Sequence, residues 1–327
     1  MRRLSLFLLQ LFVCASLGAQ EVIDLTGSWD FAVGDSAVYN DFVQLPGTML
    51  SNGKGEQTGR LWYQRSIYVP AAWKERHVSL VLERPSAETF VKVNGKDVGG
   101  NQNHFTAHKY DVTRFLQPGQ RNLIEVSTPS TNGGWQGISG CMELRAQPYD
   151  LYIEQVKLTP HPFQGILQID LQLTGRINYL NSDVVEVLMQ RADVDSAAIV
   201  SRYFTLNGRQ LKLMMPFSNE VAIWDEFFPH LYRIGISVGN DYYETTFGMH
   251  ETMISHHQPF INGHQIFLRG VVKDNQFPKT GCPPTDVDSW LETFRFCKDR
   301  GLNLMRFKGY CPPEAAFTAA DRLGFYL

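Results

Sequence analysis

The stretch Phe247–Leu327 reads FGMHETMISHHQPFINGHQIFLRGVVKDNQFPKTGCPPTDVDSWLETFRFCKDRGLNLMRFKGYCPPEAAFTAADRLGFYL, and its order of elements decides the fold class. Asn262-Gly263 between two short apolar runs is a two-residue hairpin signal. Ile266 to Val271 predicts a buried strand. Thr285, with Asp288 three residues on, predicts a helix start of capping-box type. Val287, Trp290, Leu291, Phe294 and Cys297 then fall at helical spacing on one apolar face. Gly301 is placed to end that helix. Leu302 to Phe307 predicts a second strand, Pro313 to Leu323 a second helix with Gly324 as its stop, and Phe325-Tyr326-Leu327 the start of a third strand. Strand, helix, strand, helix, strand is the opening of a parallel α/β structure.

Upstream the pattern changes to short strands and turns. From Glu21 to Pro148, runs such as Leu25 to Phe31, Leu61 to Val69, Val78 to Glu83, Phe90 to Val98 around Asn94-Gly95, Tyr110 to Leu116 and Asn122 to Ser127 recur at roughly ten-residue spacing, which predicts a β-sandwich. From Tyr149 to Thr246, Leu151 to Leu158, Gly165 to Leu173, Val184 to Gln190, Leu211 to Met215 and Tyr232 to Val238 predict a second, smaller sandwich of immunoglobulin-like type. The expected chain is multidomain: a β-sandwich over 20–148, an immunoglobulin-like β-sandwich over 149–247, and β/α units over 248–327.

Composition narrows the function class. The chain has 327 residues, 43% hydrophobic and 19% charged, an ordinary globular balance. A net charge of -3 gives no electrostatic footprint for nucleic acid. Residues 1–19 carry Arg2 and Arg3, an apolar run from Leu4 to Val13 and a small-residue exit at Ala15 to Ala19, the pattern of a cleaved secretory signal. The expectation is an exported protein, periplasmic or extracellular, with no membrane span. Cleavage leaves Cys141, Cys282, Cys297 and Cys311. Cys282 and Cys311 both precede a Pro-Pro pair in loops after strands and are candidates to lie close together; four unpaired thiols are the alternative. No spacing matches a metal site, and no cofactor is expected.

Ordered along some 300 residues, the motifs resemble glycoside hydrolase family 2, the family of β-galactosidases, β-glucuronidases and β-mannosidases. LTGSWDF at Leu25, LPGT at Leu45, LWYQRSIYVP at Leu61, VKVNGKDVG at Val91, YDVT at Tyr110 and GISGCMEL at Gly137 are similar to its jelly-roll-like sugar-binding domain. PHLYRI at Pro229 and FGMHE at Phe247 are similar to the end of its middle domain, and INGHQIFLRGV and GLNLMRFKGYCPPEAAFTAADRLGFYL to the entry of its TIM barrel. The resemblance implies retaining hydrolysis of terminal β-linked sugars by two carboxylates about 5–5.5 Å apart, carried on the fourth and seventh barrel strands. Three strands are predicted here, so the barrel is expected to be incomplete, both catalytic carboxylates to lie outside this chain, and the chain alone to be inactive. Asn219-Glu220 imitates the family's acid/base motif, but it lies before the barrel and reads as a turn. The alternative is a non-catalytic carbohydrate-binding or scaffold protein.

The resemblance also implies substrate-binding positions. Arg306 closes the second barrel strand, where the family has an Arg reaching toward the nucleophile; a guanidinium there keeps a buried carboxylate ionised. Asp274 and Lys308 occupy loops where family members usually carry a His, and are assigned to sugar hydroxyls in its place. Asn132 and Trp135 lie in a loop that, in the family, reaches the active site; Trp would stack on a sugar face and Asn bond its hydroxyls. Trp29, Trp62 and Trp224 are expected in cores, and Glu314 at a helix start.

Overall fold

The computed structural model describes residues 21–103, 106–130, 135–148, 151–175, 184–192, 200–217 and 221–327. The signal segment 1–19, Asn132 and Asn219-Glu220 lie outside the described residues.

The first sandwich contains β1 (Glu21–Asp24), β2 (Gly27–Val33), β3 (Asp41–Leu45), β4 (Gly47–Thr48), β5 (Arg60–Tyr68), β6 (Arg76–Leu82), β7 (Thr89–Val93), β8 (Lys96–Asn101), β9 (His108–Asp111), β10 (Arg121–Pro129), β11 (Gly137–Ile138) and β12 (Met142–Pro148). One sheet runs β1-β12-β6-β9 and the other β3-β2-β5-β10-β7-β8, with β4 and β11 pairing at one end. Alternation sets which side chains enter the core. On β5, Leu61 and Tyr63 are buried while Trp62 and Gln64 face outward. Trp29, Trp73, Leu80, Val91, Ile124 and Leu144 meet them in one cluster. Each full burial of a large aliphatic side chain contributes roughly 1.5–3 kcal/mol. Trp62 is therefore not a core tryptophan: its strand neighbours take the inward positions, and it stands half-buried on the outer face. The β7–β8 turn needs φ > 0 at both residues, and Asn94 (52°) and Gly95 (75°) supply it.

The second sandwich has β13 (Tyr152–His161), β14 (Ile166–Thr174), β15 (Val184–Arg191), β16 (Val200–Thr205), β17 (Gln210–Pro216), β18 (Leu231–Val238) and β19 (Asp241–Gly248). A three-stranded sheet, β13-β14-β17, faces a four-stranded one, β16-β15-β18-β19. Its core joins Ile169, Leu171, Val187, Met189, Tyr232, Ile234 and Phe247.

The last segment opens with an antiparallel meander, β20 (Thr252–Ser255), β21 (Gln258–Ile261) and β22 (His264–Gln265). The Asn262-Gly263 turn again has φ of 50° and 76°. It continues with β23 (Gly270–Lys273), α1 (Val287–Lys298), β24 (Leu304–Phe307) and α2 (Glu314–Leu323). β23 and β24 are parallel, and Tyr326 bridges Leu304 in parallel as a third member. Both helices turn their apolar faces onto this ladder: Trp290, Phe294, Met305, Ala316, Ala319, Ala320 and Phe325 form one cluster.

Two boundaries differ from the sequence expectation. The strand predicted as buried from Ile266 begins only at Gly270 and is largely exposed; just before it, the Arg269 N–H donates to Asn303 Oδ1 at 2.7 Å and its Nε to the Gly301 carbonyl at 2.5 Å, outside the ladder. The α1 cap is Asp286, not Thr285; Asp286 Oδ1 accepts from the Ser289 N–H at 2.8 Å, which satisfies one of the first-turn donors.

Candidate functional site

In parallel β/α structures, sites form at the carboxyl ends of the strands. Here that edge is made by the segment after β23, from Asp274 to Asp286, and the segment after β24, from Lys308 to Pro313. Within β24, Met305 is buried among the helices, and Phe307 packs edge-on against Trp290 at 5.7 Å and Tyr310 at 5.3 Å. Alternation then places Arg306 on the opposite face, beside its register partner Val272. Arg306 is exposed, and no hydrogen bond or ion pair of its side chain is found among the described residues.

Lys308 extends the ladder by one bond, its N–H donating to the Lys273 carbonyl at 2.9 Å, and its side chain is exposed. Asp274 Oδ1 accepts from the Gln276 N–H at 3.3 Å, an Asx-type turn that keeps the carboxylate at the strand end. Its charge reaches Tyr310, whose phenol is pushed up to about 12, chiefly by burial. Arg306, Asp274 and Lys308 thus share one edge of the parallel ladder.

Trp135 comes to this edge through a residue the sequence reading missed. The Arg84 guanidinium lies 5.6 Å from the Trp135 ring centre, and its Nη1 donates to the Cys311 carbonyl at 2.8 Å. Arg84 sits at φ 53°, with its carbonyl accepting from the Ser139 N–H at 3.1 Å. Burial lowers the Arg84 pKa, while Glu83, Cys311, Cys282 and Tyr310 act to raise it. A second tie runs from Thr48 Oγ1 to the Thr280 carbonyl at 2.8 Å. The first sandwich therefore closes one side of the strand-end edge, and the half-buried Trp135 is part of the seam. Cys282 and Cys311 both feel Arg84, and both are free thiols. A positive φ in the Arg84-Pro85 pair, on a residue that is neither Gly nor Asn, leaves no local pattern that would have flagged it.

The second sandwich closes the other side of the segment. Trp224 Nε1 donates to the Asp321 carbonyl at 2.8 Å, and Glu226 accepts from Asn303 and Arg269. Of the residues named from the sequence, Arg306, Lys308, the Asp274 carboxylate and the Trp135 ring come to this edge. The carboxylates nearest it in sequence have local duties, Asp274 in a turn and Glu314 in the first turn of α2. No group of three or more His, Cys, Asp or Glu that could hold a metal ion occurs among the described residues. No helix among them is long and apolar enough to cross a membrane.

The sequence matches the sugar binding domain of glycosyl hydrolases family 2 over residues 9–140. A β-glucuronidase from Streptococcus agalactiae is 24% identical over 337 residues, covering 92% of this chain and 55% of that protein. A β-galactosidase large subunit from Lactobacillus acidophilus is 23% identical over 205 residues, 58% of this chain and 31% of the relative. Among solved structures, a β-D-glucuronidase from Dictyoglomus thermophilum superposes with a TM-score of 0.76 at 19% identity, over 94% of this chain and 57% of that one. A Faecalibacterium prausnitzii β-glucuronidase gives 0.76 at 21% identity, over 94% and 59%. The chain thus spans about half the length, or less, of these relatives. Residues 9–140 thus match the sugar-binding domain of that family, and the chain shares the fold of these β-glucuronidases over 94% of its length.

Proposed function

We propose that this chain forms the amino-terminal framework of an exported retaining β-glycosidase that hydrolyses terminal β-linked sugars of oligo- or polysaccharides. The second sandwich is its immunoglobulin-like middle domain, and β23 to Tyr326 is the opening of a (β/α)₈ barrel. The reacting carboxylates come from barrel strands other than these three. The observation that carries this reading is the placing of Arg306: at the carboxyl end of a parallel strand, on the face turned away from the helices, with its side chain exposed. A guanidinium there holds a neighbouring nucleophilic carboxylate ionised and in position. Asp274, Lys308 and Trp135 supply contacts to sugar hydroxyls and to a sugar face.

The test is hydrolysis of 4-nitrophenyl β-galactoside, β-glucuronide and β-mannoside by the gene product isolated from its native source, beside the 327-residue chain expressed alone. Turnover of at least one glycoside by the native product, with none by the chain alone, is expected. Turnover by the chain alone would overturn the assignment of the carboxylates to other strands. The second reading, a non-catalytic glycan-binding or scaffold protein, is favoured by one observation: Asp274 and Lys308 stand in loops that contain no histidine. Absence of turnover by the native product on all three glycosides would favour it.

A further inference from the structure

The strand-end edge leaves unused the outer face of the six-stranded sheet, and the register there is informative. Two rows of side chains cross it. Trp62 on β5 pairs with Ser127 on β10, Ser127 with Phe90 on β7, and Phe90 with Gly100 on β8. One step along, Gln64 pairs with Glu125, Glu125 with Lys92, and Lys92 with Asp97. In the first row large rings alternate with the smallest side chains, which cuts a trench between strands about 4.8 Å apart. In the second, the row is polar throughout. The trench has a volume of about 420 Å³, within the ~300–1,000 Å³ of small-molecule sites.

The rings are held in place. A Cβ on Gly100 would come within 2.6 Å of the Phe90 ring, so the ring lies directly on the β8 backbone. The Arg60 guanidinium stands 5.0 Å from the Phe90 ring centre and 6.0 Å from that of Trp62, and its Nη1 donates to Ser127 Oγ at 3.3 Å. Trp62 Nε1 donates to the Gly34 carbonyl at 2.9 Å. Phe90 nevertheless remains 41% exposed. Fixed aromatic faces open to solvent are costly to keep and are suited to a ligand that stacks.

We propose that this trench is a glycan-binding groove that takes an uncharged oligosaccharide of equatorially substituted pyranoses, apart from the strand-end site. The charge pattern selects that class. Arg60 is paired with Glu88 at 3.6 Å and Lys92 with Asp97 at 3.3 Å, and Glu125 adds a further negative charge. Phosphate, sulfate and uronate ligands meet no unpaired cation there. Carboxylates and amides beside aromatic faces match a pyranose, whose hydroxyls lie in the ring plane and whose axial C–H bonds form two apolar faces. The groove stands whether or not the chain belongs to a hydrolase.

The test is titration of the full 327-residue chain with cellohexaose, xylohexaose and laminarihexaose, read by tryptophan fluorescence and calorimetry. Binding of at least one is expected, with Trp62 emission changing on saturation. Phe90→Ala should weaken it about tenfold or more, as loss of one stacked face requires, and Glu125→Gln should weaken it several-fold. Arg306→Ala, at the other site, should leave it unchanged. No binding by the folded chain, binding indifferent to Phe90→Ala and Glu125→Gln, or binding lost in Arg306→Ala would overturn the proposal. So would sedimentation showing a dimer that Phe90→Ala dissociates, since the face would then be covered by a second copy.

Discussion

Asn303 Nδ2 donates to Glu226 Oε2 at 2.6 Å, joining residues 77 apart in sequence across the boundary between the second sandwich and the parallel ladder. Asn303 is 2% exposed and uses every polar group it has. Its Oδ1 accepts from the Arg269 N–H, its Nδ2 also donates to the Phe267 carbonyl, and its own N–H and carbonyl serve Arg269 and Tyr326. Glu226 receives Arg269 Nη2 at 3.3 Å, and its backbone carbonyl receives Lys298 Nζ at 2.7 Å. Removing Asn303 therefore leaves a buried carboxylate short of a partner. Asn303→Ala should cost about 2–4 kcal/mol, measured by urea denaturation, and Asn303→Asp should cost more because two carboxylates then face each other.

Gly324 lies beside the same junction. It ends α2 at φ 64°, and a Cβ there would stand 2.7 Å from the Asp225 carbonyl oxygen. Both the backbone conformation and the close approach require glycine. Gly324→Ala should lower stability by more than about 1 kcal/mol, seen as a lower denaturation midpoint, while Gly53→Ala, at φ 68° with open space around it, should cost less.

At the other junction Arg84 does the joining. Arg84→Ala removes the bond to the Cys311 carbonyl and the guanidinium over Trp135. Amide exchange in residues 308–311 should accelerate by roughly tenfold, the loss of one charge-assisted hydrogen bond of about 1–1.5 kcal/mol, with exchange in the second sandwich unchanged. Arg84→Lys should restore this only in part, because an ammonium lacks the planar stacking surface.

Asp321 should make stability pH-dependent. Burial lifts its carboxyl to about 6, from an ordinary value near ~3.9. The folded chain then binds this proton more tightly than the unfolded chain. Its contribution is full below pH ~4 and is lost as pH rises through about 6. Asp321→Asn should be more stable than the parent at neutral pH, by on the order of 1–3 kcal/mol, with the difference vanishing near pH 4. Denaturation midpoints measured across that range check the sign.

The elements that were legible in the sequence are those whose signal is local. Asn94-Gly95 and Asn262-Gly263 announce left-handed turns by residue type, and both turns occur. The α1 face is periodic, and Trp290, Leu291, Phe294 and Cys297 are all buried. β16 and β19 escaped notice because their burial follows no clear apolar alternation: Val200 is the only buried residue of the first, and the second places the polar Asp241 inward. Trp62 was misplaced by residue type, although Leu61 and Tyr63 on either side already fix it on the outer face by alternation. At the strand-end edge, Arg306, Asp274 and Lys308 were named through the family resemblance, and the structure sets all three at one end of the parallel ladder. The links from Arg84 to Cys311 and from Asn303 to Glu226 span 227 and 77 residues, and no local pattern encodes them.

The central claim is tested most directly by following the anomer first released. The native gene product, acting on a 4-nitrophenyl β-glycoside that it turns over, is watched by proton NMR before mutarotation intervenes. The proposed retaining mechanism, with two carboxylates about 5–5.5 Å apart, predicts initial release of the β-anomer. Initial release of the α-anomer, which demands carboxylates about 6.5–9.5 Å apart, would contradict the account.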